Sequence, residues 1–296
     1  MTPLPATAKG LPPPLERMVR RIDEISTLPQ IALKVMEIAN DPDSGAADLK
    51  EVMEADAALS ARVLRNVNSS AYAVRTRITN LQQAIAYLGL KQIRNLAMTA
   101  SVSELFKRDE QIGNYRRLGL WRHLVSVGIC ARLIGLRRKL PTFEDAFLAG
   151  LLHDIGIILE DQHAHEKFCT VIASLEPDVP LATIERRVLG YDHTTLAEAV
   201  AANWGFPSAV REAIRHHHNS AAYRGPDIDI VRCVEVANLI CTLKGMSSVG
   251  AKLVQVSLPA LQGLAITKED IQVLAEDLDQ EIAANESLFQ VGTERG

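Results

Sequence analysis

Apolar residues recur along this chain with the spacing of a helix. Ile31, Val35 and Ile38 stand at i, i+4 and i+7 after Pro29, which places them on one helical face. Further helices are expected in DLKEVMEAD and LSARVLRNVN, after a turn at DPDSG (41–45). NLQQAIAYLG (80–89) starts at an Asn cap and stops at Gly89. LKQIRNLAMTASVSELFKR (90–108) follows directly, and the polar DEQIGN (109–114) then marks a subdomain boundary. A long helix is expected over roughly 115–138. Another opens at Thr142, with Glu144 and Asp145 in its first turn, and runs through FLAGLLHDIGIILED. Helices fit 163–175, 180–190, 194–204, 208–218 and 230–245, with GPDID (225–229) as a loop and Gly245 as a stop. The last starts at Thr267, where TKED resembles a capping box, and runs to about 288. No strand period of 2 stands out, so the expected class is all-α with two packed helical subdomains.

Composition narrows the class further. With 296 residues, 47% hydrophobic and 23% charged, the chain can bury a sizeable core. That balance excludes a disordered, collagen-like or disulfide-scaffold protein. Cys130, Cys169, Cys233 and Cys241 lie far apart among apolar neighbours, as reduced core residues of a cytosolic protein do. Residues 1–14 are proline-rich, lack the apolar stretch of a signal peptide and read as a flexible tail. Apolar stretches such as Phe147–Leu152 and Ile155–Leu159 are far short of the roughly 20 residues that cross a bilayer. No membrane association is expected, and the expected location is cytoplasmic. The length leaves no room for a fused sensor, receiver or catalytic domain, so any input is expected to arrive by association.

Charge is uneven. The net charge of −4 gives no global field for nucleic acid, which is not an expected partner. From Ala57 to Ser103, however, there is no Asp or Glu, while Arg62, Arg65, Arg75, Arg77, Lys91 and Arg94 all fall there. One reading is a positive patch for an anionic ligand or an acidic partner. The other is a solvated face with ion pairs to acids elsewhere. Aromatic residues are few (Tyr72 and Tyr87), so base stacking has little to work with.

The candidate chemistry sits in the histidines. His153-Asp154 interrupts the strongly apolar LAGLLHDIG. A buried carboxylate needs a partner, and a divalent metal or a His–Asp hydrogen bond would each supply one. His123 lies in LWRHLVSVG, His193 opens HTTLAEAVAANWG, and His216-His217-His218 close AIRHHHN. Taken singly, these read as a core histidine, a helix-start residue and a partner for a helix dipole.

Together their order resembles the HD superfamily of metal-dependent phosphohydrolases: His, then His-Asp, then His, then a His pair. More narrowly the chain resembles the HDOD family, the HD-related output domain of bacterial signalling proteins, over roughly residues 20–222. STLPQIALKVMEIANDP, LSARVLRNVNSSAY, RITNLQQAIAYLG, FLAGLLHDIG and GYDHTTLAEAVAANWGFP carry the likeness. The resemblance implies a tail at 1–14, an N-terminal helical half at 15–112, an HD-like half at 113–222 and helices at 223–296 packing on that half. It implies a metal set of His123, His153, Asp154, His193, His217 and His218, for iron, manganese or zinc. His163 and His165 match nothing in the motif and read as surface residues. Two departures bear on activity: Ile157 stands where active relatives carry a Lys, and Asn238 where they carry a closing Asp. The GYP motif of cyclic di-GMP phosphodiesterases is missing after the His pair. The resemblance therefore implies a non-catalytic signalling module that binds protein partners or a nucleotide-type ligand, with a nucleotide or cyclic-dinucleotide phosphohydrolase as the alternative.

Overall fold

The computed structural model describes residues 10–25, 28–250 and 258–291. The first helices are α1 (Pro13–Ile25), α2 (Gln30–Asn40), α3 (Ala46–Glu54), α4 (Ala57–Val67), α5 (Leu81–Leu88) and α6 (Leu90–Val102). A short 3-10 turn and a hairpin of β1 (Gln111–Ile112) and β2 (Tyr115–Arg116) lead into α7 (Arg117–Arg137). Then come α8 (Phe143–Leu152), α9 (Ile155–His163), α10 (His165–Ala173), α11 (Leu181–Val188), α12 (His193–Asn203) and α13 (Ser208–His216). The chain continues through α14 (Ile228–Leu243), α15 (Leu258–Gly263), α16 (Lys268–Ala284) and α17 (Glu286–Phe289). The architecture is all-α, as the apolar spacing predicts.

Local chemistry sets many of the boundaries. Asn80 Oδ1 accepts from the Gln83 N–H at 2.9 Å and starts α5. Thr267 and Asp270 form a reciprocal capping box at α16. Other boundaries depart from the expectation. Helix α1 begins at Pro13, inside the expected tail, since proline is well suited to a first helical turn. On α2 the buried residues are Ala32, Val35 and Met36, which leaves Ile31 and Ile38 at the edges of the stripe. The polar 109–114 stretch is the hairpin, with Ile112 opposite Tyr115. The loop expected at 225–229 ends at Asp227, because Ile228 already starts α14.

Helix α7 is the central beam. It packs against α8, α14 and α16, while α8 also meets α6, α13 and α14. Among the described residues, α7 is the one helix long and apolar enough to cross a membrane, and 72% of its apolar window is buried in the fold. Gly128 on α7 and Gly150 on α8 allow the pair to close up. A Cβ on Gly150 would lie 2.8 Å from the Gly128 Cα, a separation that side chains do not tolerate. Although α1 comes first in sequence, it packs on α9 and α12. The C-terminal helices reach the N-terminal half as well, since α17 meets both α4 and α7. Trp121 of α7 donates to the Phe289 carbonyl at 3.2 Å.

Two buried polar networks tie neighbouring helices together. Arg94 on α6 is fully buried. Its guanidinium pairs with Asp145 of α8 at 2.9 Å and donates to Asn40 of α2 at 3.0 Å. Asp161 on α9 is likewise buried and takes hydrogen bonds from the Tyr115 hydroxyl, the Arg117 fork and His165 Nδ1. Burial alone would raise its pKa. Arg117, His165 and Tyr115 outweigh that and hold the carboxyl below its usual range.

Candidate metal centre

The expected single helix through FLAGLLHDIGIILED is two helices. Helix α8 ends at Leu152, α9 starts at Ile155, and His153-Asp154 form the turn between them. Asp154 has φ −107° and ψ 18°, outside the helical well, so the axis bends there. Gly156 lets the bend meet α12, since a Cβ on it would lie 2.2 Å from the His193 carbonyl oxygen. The bend aims His153 and Asp154 at the space where α7, α12 and the end of α13 meet.

All six histidine and aspartate residues expected as ligands converge there. Asp154 Oδ2 lies 3.3 Å from His153 Nε2 and 3.6 Å from His123 Nε2. Asp154 Oδ1 lies 3.2 Å from His217 Nε2 and 3.4 Å from His193 Nε2. His193 Nε2 is 3.0 Å from His218 Nε2, and His123 Nε2 is 3.2 Å from His153 Nε2. Two overlapping groups result, His123–His153–Asp154 and Asp154–His193–His217–His218, with the ligand atoms of each within 4.8 Å of one another. Asp154 offers one oxygen to each.

The other ring nitrogen of four histidines is already engaged. His123 Nδ1 donates to the Met246 carbonyl at 2.8 Å, His153 Nδ1 to Gly150 at 2.7 Å and His217 Nδ1 to Ile214 at 2.9 Å. His193 Nδ1 donates to the Glu185 carboxylate at 2.7 Å. With the proton on Nδ1, a neutral imidazole turns its Nε2 lone pair inward. Such an outer partner is what orients a ligating histidine. The centre is thus crowded with lone pairs around a carboxylate, and Asp154 Oδ1 and His217 Nε2 are buried without a hydrogen-bond partner. A divalent cation answers that donor set, so the residues fit a metal.

Electrostatics follow the same lines. Burial would raise Asp154, but His153 and the neighbouring rings hold it well below the usual carboxylate range. Burial opposes charge on His193 too. Glu185, Asp154 and Asp192 outweigh it and push the ring up to about 9. His217 is lowered by burial in spite of Asp154. Behind His193, burial and the adjacent Glu185 push the Glu160 carboxyl well above its usual range.

Several residues fall elsewhere than expected. His163 is buried, 5% exposed, and so is not a surface residue. His165 is half-exposed and tied to Asp161 and Glu110. The basic stretch does not form one open patch. Arg94 is a buried tie, Lys91 pairs with Asp145 at 2.8 Å, and Arg62 pairs with Glu104. Arg65, Arg75 and Arg77 are exposed. Glu185 and Glu160 were not legible: LATIERRVLG reads as an ordinary amphipathic surface helix, and nothing in it marks Glu185 as inward-facing.

The HDOD domain profile matches residues 25–220. An HDOD domain protein of unknown function from Geobacter sulfurreducens is 25% identical, with a TM-score of 0.75 over 93% of this chain and 97% of that one. A candidate signal transduction protein from Marinobacter aquaeolei VT8 is 26% identical, with a TM-score of 0.73 over 93% of this chain and 63% of that one. A candidate phosphohydrolase from Shewanella amazonensis SB2B, 21% identical, shares the fold with a TM-score of 0.68 over 92% of this chain and 96% of that one. An uncharacterized protein of Treponema pallidum (strain Nichols) is 24% identical over 203 residues, and this chain spans only 38% of its length. The broken helix at His153-Asp154, the converging imidazoles and the profile match agree that this chain belongs to the HDOD family.

Proposed function

We propose that this chain is a signalling module that works by binding, with the His–Asp cluster as a buried metal centre that does not turn over substrate. The observation that carries this reading is closure. His123, His153 and His193 are 0% exposed, and Asp154 and His217 are 1% exposed. Among the described residues, a phosphate ester would have to displace buried side chains to reach a nucleophile held between these five. His123, His153, His193, His217, His218 and Asp154 would hold iron, manganese or zinc, all compatible with imidazole and carboxylate ligands. The bound ion would supply the positive charge that the inward lone pairs and Asp154 call for. Ile157, where a phosphate-binding Lys would be expected, is fully buried on α9. Asn238 is buried on α14, where its side-chain oxygen accepts from Thr242 Oγ1. Exposed Arg65, Arg75 and Arg77 are the part of the basic stretch open to an acidic protein partner, and a cytoplasmic location accords with the free cysteines.

One observation favours the phosphohydrolase alternative: His218 is exposed and gives the cluster a solvent edge. Metal-loaded protein incubated with cyclic di-GMP and common nucleotides separates the two. Loss of one charge-stabilising group costs about 10²–10³ in rate, so turnover no greater than that of Asp154→Ala is expected. Robust hydrolysis that disappears in Asp154→Ala would overturn the binding-module reading.

A further inference from the structure

A cleft of about 620 Å³ lies away from the metal cluster, between α1, the α9–α10 turn and the segment that joins α11 to α12. Its volume falls in the range of small-molecule sites, roughly 300–1,000 Å³. Arg17 and Arg21 of α1 form one wall and Lys167 of α10 the other. Among the described residues, none of these three pairs with a carboxylate, and Glu166 is the one acid in the lining. The first turn of α10, which also lines the cleft, has no side-chain cap. Its free N–H groups and positive dipole end are therefore available to an anion. The remaining surface is different in kind: Met18, Leu189 and Tyr191 make an apolar wall with an aromatic ring. His163 completes it, buried and with Nε2 lacking any partner.

We propose that this cleft is a binding site for a phosphate-bearing small molecule with a flat apolar body, of the nucleoside monophosphate class. The phosphate would lie at the α10 N-terminus between Arg17, Arg21 and Lys167, and the flat body against Met18, Leu189 and Tyr191. Three unpaired cations and an uncapped helix end favour an anion, and the apolar wall favours a ligand that is more than an ion. The proposal goes beyond the metal-centre reading and does not rest on it.

The test is calorimetric titration of the full chain with AMP and GMP, beside adenosine and inorganic phosphate as partial probes. AMP or GMP is expected to bind saturably, with adenosine and phosphate each at least about tenfold weaker. Hydrogen bonds to charged groups correspond to roughly 10–100-fold in affinity each, so Arg17→Ala/Arg21→Ala and Lys167→Ala should each weaken binding at least about tenfold. All three side chains are exposed, and circular dichroism should report an unchanged helix content. Added EDTA should leave nucleotide binding as it was, which separates this cleft from the metal cluster whether or not that cluster is metallated. The proposal is overturned if neither nucleotide binds at millimolar concentration, if the variants bind as the parent does, or if EDTA abolishes binding. Inorganic phosphate binding as tightly as AMP would overturn it too, because the apolar wall would then contribute nothing.

Discussion

Glu185→Gln tests whether the cluster is built for a metal. Glu185 is fully buried on α11, and its Oε2 accepts from His193 Nδ1 at 2.7 Å and from the His193 backbone N–H at 3.0 Å. Those two bonds set which nitrogen carries the proton and where Nε2 points. Glutamine keeps the shape but removes the charge, and its NH₂ can donate to Nδ1 and so move the ring proton to the inward nitrogen. Loss of such an outer partner costs about 10–100-fold in metal affinity, or about 1.4–2.7 kcal/mol. A second effect has the opposite sign. Glu185 helps raise His193 to about 9, and a proton on the ring competes with the metal. At pH 7.5 that competition costs the parent about 30-fold, and the variant is relieved of part of it. The two effects separate by pH. Near pH 9.5 the parent ring is mostly neutral, and the full loss should appear; near pH 7.5 part of it should be masked. Zinc affinity measured against a chromophoric chelator at both pH values gives the answer, with circular dichroism as the fold control. An affinity within twofold of the parent at pH 9.5, with helix content unchanged, would refute the argument that Glu185 orients a ligand.

The other expectations concern the frame around the site. Gly156→Ala forces a methyl onto the His193 carbonyl, so it should destabilise by at least the 1–3 kcal/mol typical of overpacking, about 2 kcal/mol or more in chemical denaturation; a neutral result would mean that α9 and α12 slide apart freely. Asp161→Asn should cost about 3 kcal/mol, because Arg117, though still near Glu110, loses its buried carboxylate. Because the folded Asp161 pKa is depressed, its contribution is present above the unfolded value of about 3.9 and fades as pH falls through the folded value. The variant's stability should therefore vary less than the parent's below about pH 4, and parallel acid profiles would refute the assignment. Arg94→Ala should cost about 3 kcal/mol by leaving a buried network unpaired, whereas exposed Arg65→Ala should stay within about 0.5 kcal/mol; equal effects in a denaturant titration would undo the distinction.

What the sequence revealed and what it hid divide along one line. Apolar spacing reports which face of a helix is covered, so the all-α class and the helices from α2 to α14, apart from the division between α8 and α9, were legible, as were the caps at Asn80 and Thr267. The order of His123, His153-Asp154, His193 and His217-His218 carried the motif because family likeness preserves order. Spacing says nothing of how a polar side chain is used once it is inside. The helix break at His153-Asp154 was hidden because FLAGLLHDIGIILED is apolar on both sides of the bend. Arg94 looked like one of six surface cations because its partners are distant in sequence: Asp145 lies on α8 and Asn40 on α2. Glu185 was hidden for the same reason, its role being fixed by His193 on another helix.

Two buried aspartates show why one site calls for a cation and the other does not. Asp161 and Asp154 are 0% and 1% exposed, and each sits among residues able to share protons. Asp161 is saturated, with a tyrosine hydroxyl, an arginine fork and a histidine N–H all donating to it. Nothing more is needed to keep its charge buried, since an arginine cannot lose its proton in a protein. Asp154 is surrounded by at least as many neighbours, but all are imidazoles, and the four nearest have already given their Nδ1 hydrogens to Met246, Gly150, Ile214 and Glu185. In their neutral form these rings have only lone pairs left to offer. One can carry an extra proton, and His193, pushed up to about 9, is placed to do so, yet Oδ1 and His217 Nε2 still lack partners. Saturation with N–H and O–H donors makes a structural network. A carboxylate ringed by oriented lone pairs makes a ligand set, and the outer hydrogen bonds that use up the Nδ1 protons create the difference.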